Sequence, residues 1–266
     1  MIGSFTSLAK GFFTPFRGMK MMAKSPSLWP WVAIPIILNT LLYAGFAWIY
    51  KNNLEKWLDN FINTADGFWS KLLYYLLASL LAVVFLVVVG YTFTMVGSLL
   101  FSPFNDVISE KVEKLYSGVE LTEPFSISRT LSGALIAFMA ALKRIILYLV
   151  VFGIVVVIGL IPPFGTTFAA IVGPPVTFFF FAWEFFDYPM DRHRFHFADK
   201  RRGAFSNLWA FLGFGAGTTL LLMIPLAGLL LLPACVTGAT MLFRDLVVAG
   251  RIDMPEVSSE KVETSG

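Results

Sequence analysis

Two long stretches of this chain carry no acidic or basic side chain, and each is broken near its middle by proline and glycine. Between Arg144 and Glu184 lie 39 such residues, and between Arg202 and Arg244 lie 41. The breaks are Ile161-Pro162-Pro163-Phe164-Gly165 and Ile224-Pro225-Leu226-Ala227-Gly228, both of the form Ile-Pro-x-x-Gly, and further prolines follow at Pro174, Pro175 and Pro233. A helix needs about 20 apolar residues to cross the hydrocarbon of a bilayer. The uninterrupted runs 145–161 and 208–224 hold 17 each before the turn signal. The pattern predicts two helical hairpins, over 145–183 and 204–243, that dip into the membrane or barely cross it. Irregular backbone at membrane depth survives only where protein or water satisfies its polar groups. Broken apolar segments in repeat are a sequence pointer to a transport site.

Composition fixes the class. Hydrophobic residues make up 57% of the 266 and charged residues only 14%, against roughly 25% charged in soluble domains. The chain therefore reads as an all-α integral membrane protein with the lipid bilayer as its solvent. A net charge of +3 gives no basis for a nucleic-acid partner. The single cysteine, Cys235, excludes an internal disulfide and a cysteine-based metal site. The N-terminus lacks the basic region, apolar core and small-residue site of a cleaved signal peptide, so the mature chain is expected to start near Met1.

Residues 3–24 read as an interfacial amphipathic helix. Phe5, Leu8, Phe12, Phe16 and Met19 recur at helical spacing, while Lys10, Arg17, Lys20 and Lys24 fall elsewhere on the wheel; such a helix suits an anionic membrane surface. Pro15 is expected to bend or break it. Uncharged stretches at 25–50 and 72–105 then predict two long spans, at 28–50 and 72–101, with a polar loop between Lys51 and Lys71. Ser102-Pro103-Phe104-Asn105-Asp106 has the form of a helix start, opening a cytoplasmic amphipathic helix over 103–118. The tail 251–266 is polar and expected to be disordered, so that 1–250 forms one membrane domain. Placing 1–24, 106–144 and 184–202 in the cytoplasm puts 14 basic residues inside and three outside, which sets N-terminus and tail on the cytoplasmic side.

Signals of an enzyme are missing: no serine elbow, no HExxH, no phosphate-cradling glycine loop followed by lysine. No catalytic residue and no cofactor are expected. His193 and His196 lie near Asp187 and Asp191, but their spacing matches no recognised metal set, and a salt-bridge network at the membrane surface explains them more cheaply; no metal is expected. Gly213-Phe214-Gly215-Ala216-Gly217 reads as close helix packing. The uncharged stretches contain no ionisable Asp, Glu, Lys, Arg or His, so chemistry falls to the backbone, whose N–H groups bind anions where helices start. The turn Lys24-Ser25-Pro26-Ser27-Leu28-Trp29 offers such a start beside one lysine and two hydroxyls. Its candidate anion-binding residues are Lys24, Ser25, Ser27 and Leu28, although plain helix capping accounts for the serines as well.

Taken in order, Ser102-Pro103-Phe104-Asn105, Asp187-Tyr188-Pro189 with Asp191 and His193, Gly213-Phe214-Gly215, and Ile224-Pro225 with Pro233 and Gly238-Ala239-Thr240 resemble the CysZ-type sulfate permeases, from about residue 5 to residue 246. The resemblance implies two long transmembrane helices plus partly penetrating helical hairpins, assembled as a homo-oligomer in the bacterial inner membrane. It also implies uptake of sulfate for cysteine synthesis, with the anion held near the turn before the first long helix. There the family shows Pro-Gly followed by paired arginines; this chain has Ser25-Pro26-Ser27-Leu28-Trp29-Pro30, with no arginine. A second reading is therefore a non-transporting membrane scaffold, or envelope-organising protein, with the same fold.

Overall fold

The computed structural model describes residues 2–61, 67–118, 127–224 and 228–255. Their regular structure is helical: α1 (Ile2–Lys24), a single 3-10 turn (Pro26–Leu28), α2 (Trp29–Phe61), α3 (Phe68–Ser117), α4 (Ile127–Gly159), α5 (Gly165–Arg192), α6 (Phe197–Ser206), α7 (Leu208–Leu222) and α8 (Gly228–Val248). Contacts divide the chain into two compact units, 1–29 with 105–266 and 30–104, where the sequence pattern predicts one domain. Among the described residues three helices are long and apolar enough to cross a membrane, at Phe138–Gly159, Gly165–Arg192 and Leu231–Val248. A fourth counts if α6 and α7, bent by 88° at their junction, act as one span.

The smaller unit holds α2 and the larger part of α3. α3 runs on through Ser102 and Pro103, so the predicted helix start is not a break. A proline costs one backbone hydrogen bond, and a helix already in progress tolerates that loss in an apolar setting. The predicted loop 51–71 is likewise mostly helix, with α2 reaching Phe61 and α3 beginning at Phe68; residues 62–66 lie outside the described ones.

The larger unit is built around α8, whose residues from Ala234 to Phe243 are buried on every side. α1 packs against α7 and α8, and its buried face is neither the phenylalanine stripe nor the basic one. Gly11, Thr14, Pro15 and Gly18 recur at spacings of three and four and form a third, small-residue face that is buried, while Phe5 and Phe13 stay exposed. α1 passes through Pro15 without ending. A methyl group placed on Gly11 would run into the Ala210 carbonyl, on Gly213 into that of Leu8, on Gly217 into that of Phe12, and on Gly18 into that of Ala234. Gly215 meets the Phe178 carbonyl of α5 in the same way. Backbones thus touch directly, which is how helices associate where lipid removes the hydrophobic drive between them.

Across the turn 160–164, α4 packs on α5. The aromatic side chains of α5 fill the space toward α7, with Phe186 and Phe211 at 4.2 Å between ring centres and Phe186 and Phe214 at 5.6 Å. The polar segment 184–196 is the end of α5 followed by a short turn. The tail does not loosen at 251: the Arg251 carbonyl accepts from Asn207 Nδ2 at 3.1 Å, and Ile252 is buried. Residues 256–266, the rest of the predicted disordered tail, lie outside the described ones, as does Pro225.

Substituting Gly213 by Ala should shift α1 away from α7. We expect a loss of about 1–3 kcal/mol or more, typical of overpacking, read as a lower melting temperature in detergent. Gly153→Ala is the control, since nothing lies within 4 Å of a methyl group there; it should leave stability unchanged or slightly raised.

Candidate functional site

Three ordinary local rules bring the polar residues together. Asn105, Ser109 and Glu113 are spaced by four on α3 and so share one face, beside the buried Ile108 and Val112. Asp187, Tyr188, Asp191 and Arg192 are three and four apart at the end of α5. Arg244 follows the apolar run of α8. Each group sits where an apolar helix turns polar, at one end of α3, α5 and α8.

Glu113 is the focus, with its side chain 2% exposed. Its Oε1 is 2.7 Å from His193 Nε2 and accepts from Arg244 Nη1 at 3.2 Å; its Oε2 is 3.4 Å from Arg192 Nε. Arg192 also donates to Ser109 Oγ at 2.6 Å and to the Asp106 carbonyl at 3.2 Å. Ser109 in turn bonds Thr240 of α8 at 2.8 Å. Burial works to raise the Glu113 pKa, but the His193 hydrogen bond and the charges of His193, Arg192 and Arg244 outweigh it, so the group lies below its ordinary value of 4.5. Asp106 has one flank in solvent, yet burial of its surroundings raises it to about 6, with Arg192 opposing the rise and Asp191 adding to it.

A second cluster adjoins the first. Lys200 of α6, 1% exposed, donates to Asp187 Oδ1 at 2.9 Å and to Asp191 Oδ1 at 2.6 Å. Asp187 also pairs with Arg144 of α4. Asn105 Nδ2 donates to the Tyr188 hydroxyl at 3.1 Å. The motif residues Asn105, Asp187, Tyr188, Asp191 and His193 are therefore gathered into one buried polar layer that joins α3, α4, α5, α6 and α8. Pro189 is buried within α5. Pro103 and Phe104 lie in the other unit, where the Phe104 and Trp31 rings are 6.3 Å apart; Ser102 is part of α3 there. The histidine-aspartate grouping separates in space, with His193 on Glu113 and the two aspartates on Lys200. Sequence reasoning missed Glu113, Arg244 and Lys200 as partners. The available signal was an acidic residue directly beside the apolar stripe of the 103–118 helix.

The turn at 24–28 keeps its four candidate residues together. Lys24 ends α1 and is exposed, as is Ser27. The turn is closed on itself: Ser25 N–H donates to Met22 O at 3.2 Å and Leu28 N–H to Ser25 O at 3.0 Å, Trp29 N–H donates to Pro26 O, and the Trp29 indole to Met22 O at 3.1 Å. The Leu28 side chain is fully buried. The Leu28 and Trp29 amides are thus already engaged, and the groups left facing outward are the Lys24 ammonium and the Ser27 hydroxyl, with Ser25 partly exposed.

Glu113→Gln removes the carboxylate that Arg192, Arg244 and His193 share. Breaking a buried pair costs about 3–5 kcal/mol, which corresponds to a melting point on the order of 10 °C lower. In the unchanged protein a depressed carboxylate adds stability above its unfolded pKa of 4.5 and loses it as pH falls through the folded value. Asp106 runs the other way: its raised pKa favours the folded state below the ordinary 3.8, a gain lost as pH rises through about 6. Asp106 is common to both proteins, so the gap in melting temperature between parent and Glu113→Gln should narrow as pH falls below about 4.5, where only the parent has that carboxylate to protonate.

Comparison with known proteins agrees with the motif order. Residues 14–233 match the family described as sulfate transporter CysZ/etoposide-induced protein 2.4. Proteins named sulfate transporter CysZ from Pseudomonas aeruginosa, strains LESB58 and PAO1, and from Pseudomonas paraeruginosa PA7 are each 30% identical over 229 residues. The aligned region covers 85% of this chain and 90% of each relative. Membership and three apolar helices of crossing length together make this a membrane protein. The chain belongs to the sulfate transporter CysZ/etoposide-induced protein 2.4 family.

Proposed function

We propose that the chain is a permease of the bacterial inner membrane that takes sulfate, or a related oxyanion, into the cytoplasm for sulfur assimilation. The observation that carries this reading is the likeness over 85% of the chain to proteins named sulfate transporters. On this reading the regions 28–50 and 72–101 are full spans, while 145–183 and 204–243 enter the bilayer as hairpins from the cytoplasmic side. The tip of the first hairpin supports partial penetration: Leu160 and Phe164 are apolar and 77% and 81% exposed. A tip that emerged into water would favour polar turn residues, whereas this one suits hydrocarbon. The exposed apolar face of α4 fits lipid and further copies of the chain, so the permease works as a homo-oligomer. Its N-terminus and tail are cytoplasmic, it uses no cofactor, and it catalyses no covalent step.

The anion is met at the turn 24–28. Lys24 supplies the charge and the hydroxyls of Ser25 and Ser27 donate, while Leu28 anchors the turn from its buried position. A site with one cation holds its ion loosely, since each charge-assisted hydrogen bond adds about 1.5–3 kcal/mol. Loose binding suits passage rather than storage. The missing arginine pair favours a second reading, a membrane scaffold of the same fold.

Labelled sulfate uptake into proteoliposomes separates the two. The permease reading expects saturable uptake above empty vesicles, cut about tenfold or more in Lys24→Ala, with sulfite competing. Absence of flux for sulfate, sulfite and phosphate alike would leave the scaffold.

A further inference from the structure

Away from the turn at 24–28, the starts of α1 and α7 and the end of α8 enclose a hollow of about 210 Å³, lined by Gly3, Ser4, Ser7, Ser206, Asn207, Leu208, Trp209, Ala210 and Arg251. Arg251 is the charged residue of that lining, and no carboxylate belongs to it. The space would hold about seven waters, ample for a tetrahedral anion of five heavy atoms. A neighbouring hollow of about 310 Å³ shares Arg251 and contains Lys10 and Asp245, which are paired at 3.0 Å; among the described residues Arg251 forms no ion pair.

Local structure fixes Arg251 in place. α8 closes with Gly250 at φ 63°; Gly250 N–H donates to Val247 O and Arg251 N–H to Leu246 O, both at 2.9 Å. This is the Schellman cap that glycine after a helix permits. The Arg251 carbonyl is held by Asn207 Nδ2, and its Nη1 donates to Ser7 Oγ at 2.9 Å. A guanidinium has five N–H donors in a planar fork, so the Ser7 bond leaves the greater part of the fork available. Asn207 also makes the 88° corner that starts α7, and the first amides of a helix have no acceptor within it. Leu208 and Trp209, in the first turn of this 15-residue helix, line the hollow beside Ser206.

We propose that this hollow is a second oxyanion site, one that binds a phosphate group with Arg251 as its cation and the hydroxyls of Ser4 and Ser206 as donors, while Ser7, whose hydroxyl donates to the Gly3 carbonyl at 2.8 Å, steadies the guanidinium. An arginine fork matches phosphate geometry better than a point charge does. Trp209 on the rim and Phe5 nearby are exposed, as aromatic side chains at headgroup depth are. The phosphate group therefore comes either from an anionic lipid headgroup or from free inorganic phosphate.

The test uses the full chain, delipidated in neutral detergent. In one arm, equilibrium dialysis measures binding of labelled inorganic phosphate. In the other, native mass spectrometry counts phosphatidylglycerol retained against phosphatidylcholine. Arg251→Gln should weaken whichever ligand binds by about ten- to a hundredfold. Ser4→Leu, which fills the hollow and keeps the charge, should do the same and decides the matter if Arg251→Gln does not fold. Phosphate binding lost in the variants identifies a free-anion site; selective phosphatidylglycerol retention lost in them identifies a lipid site. Variants that bind like the parent in both arms, or a parent that binds neither ligand, would overturn the proposal.

Discussion

A carboxylate held out of water must be answered by charge, and Glu113 is where this protein meets that demand. Taking an isolated ion into a low-dielectric interior costs several kcal/mol even after relaxation. Glu113, 2% exposed, is met by His193, Arg192 and Arg244. Those partners lie on different segments, so meeting the charge requires the ends of α3, α5 and α8 to converge. The adjoining group on Lys200 adds α4 and α6 through Arg144, Asp187 and Asp191. Among the described residues α3, α5 and α8 are thereby tied near their polar ends, and α4 at Arg144, where its apolar run begins.

The apolar ends are held by a different interaction. Between lipid-facing helices the gain from burying apolar area is small, and close backbone approach takes over. Gly11, Gly18, Gly213, Gly215 and Gly217 sit where helix axes come nearest. They let α1 wedge between α7 and α8 instead of resting on the surface. The consequence reaches the candidate anion turn: Lys24 is the last residue of α1, and the next five residues fold back on it through Met22, Ser25 and Pro26. The position of the turn is thus fixed by helix packing and backbone hydrogen bonds, leaving Lys24 and Ser27 outward.

Charges among the described residues concentrate in the polar layer, largely compensated, while the outward-facing Lys24 and the fixed Arg251 lie apart from that layer's carboxylates. Opposite charges that satisfy one another are structural; a cation with donors to spare is what an oxyanion can use.

Much was legible from the chain alone. Low charge, two apolar stretches with repeated Ile-Pro-x-x-Gly breaks, and the ordered motifs determine a helical membrane protein of this family, because hydrocarbon tolerates little backbone that is not hydrogen-bonded within a helix. The glycine run at 213–217 was readable as packing for the same reason. Other features needed the third dimension. Pro103 has the form of a helix start, yet α3 passes through it, since a sequence signal states what a residue permits and not what precedes it in space. Glu113 looked like one more charge on an amphipathic helix, and only the approach of α5 and α8 makes it the centre of a network. Gly250 and Asn207 are ordinary cap and corner residues in sequence; tertiary structure sets them side by side and so aims Arg251. Periodicity and composition act along the chain and determine which segments become helices in lipid, whereas pairing of buried charges joins Glu113 to residues 80 and 131 positions away, contact between backbones joins α1 to α7 and α8, and that only the folded packing decides.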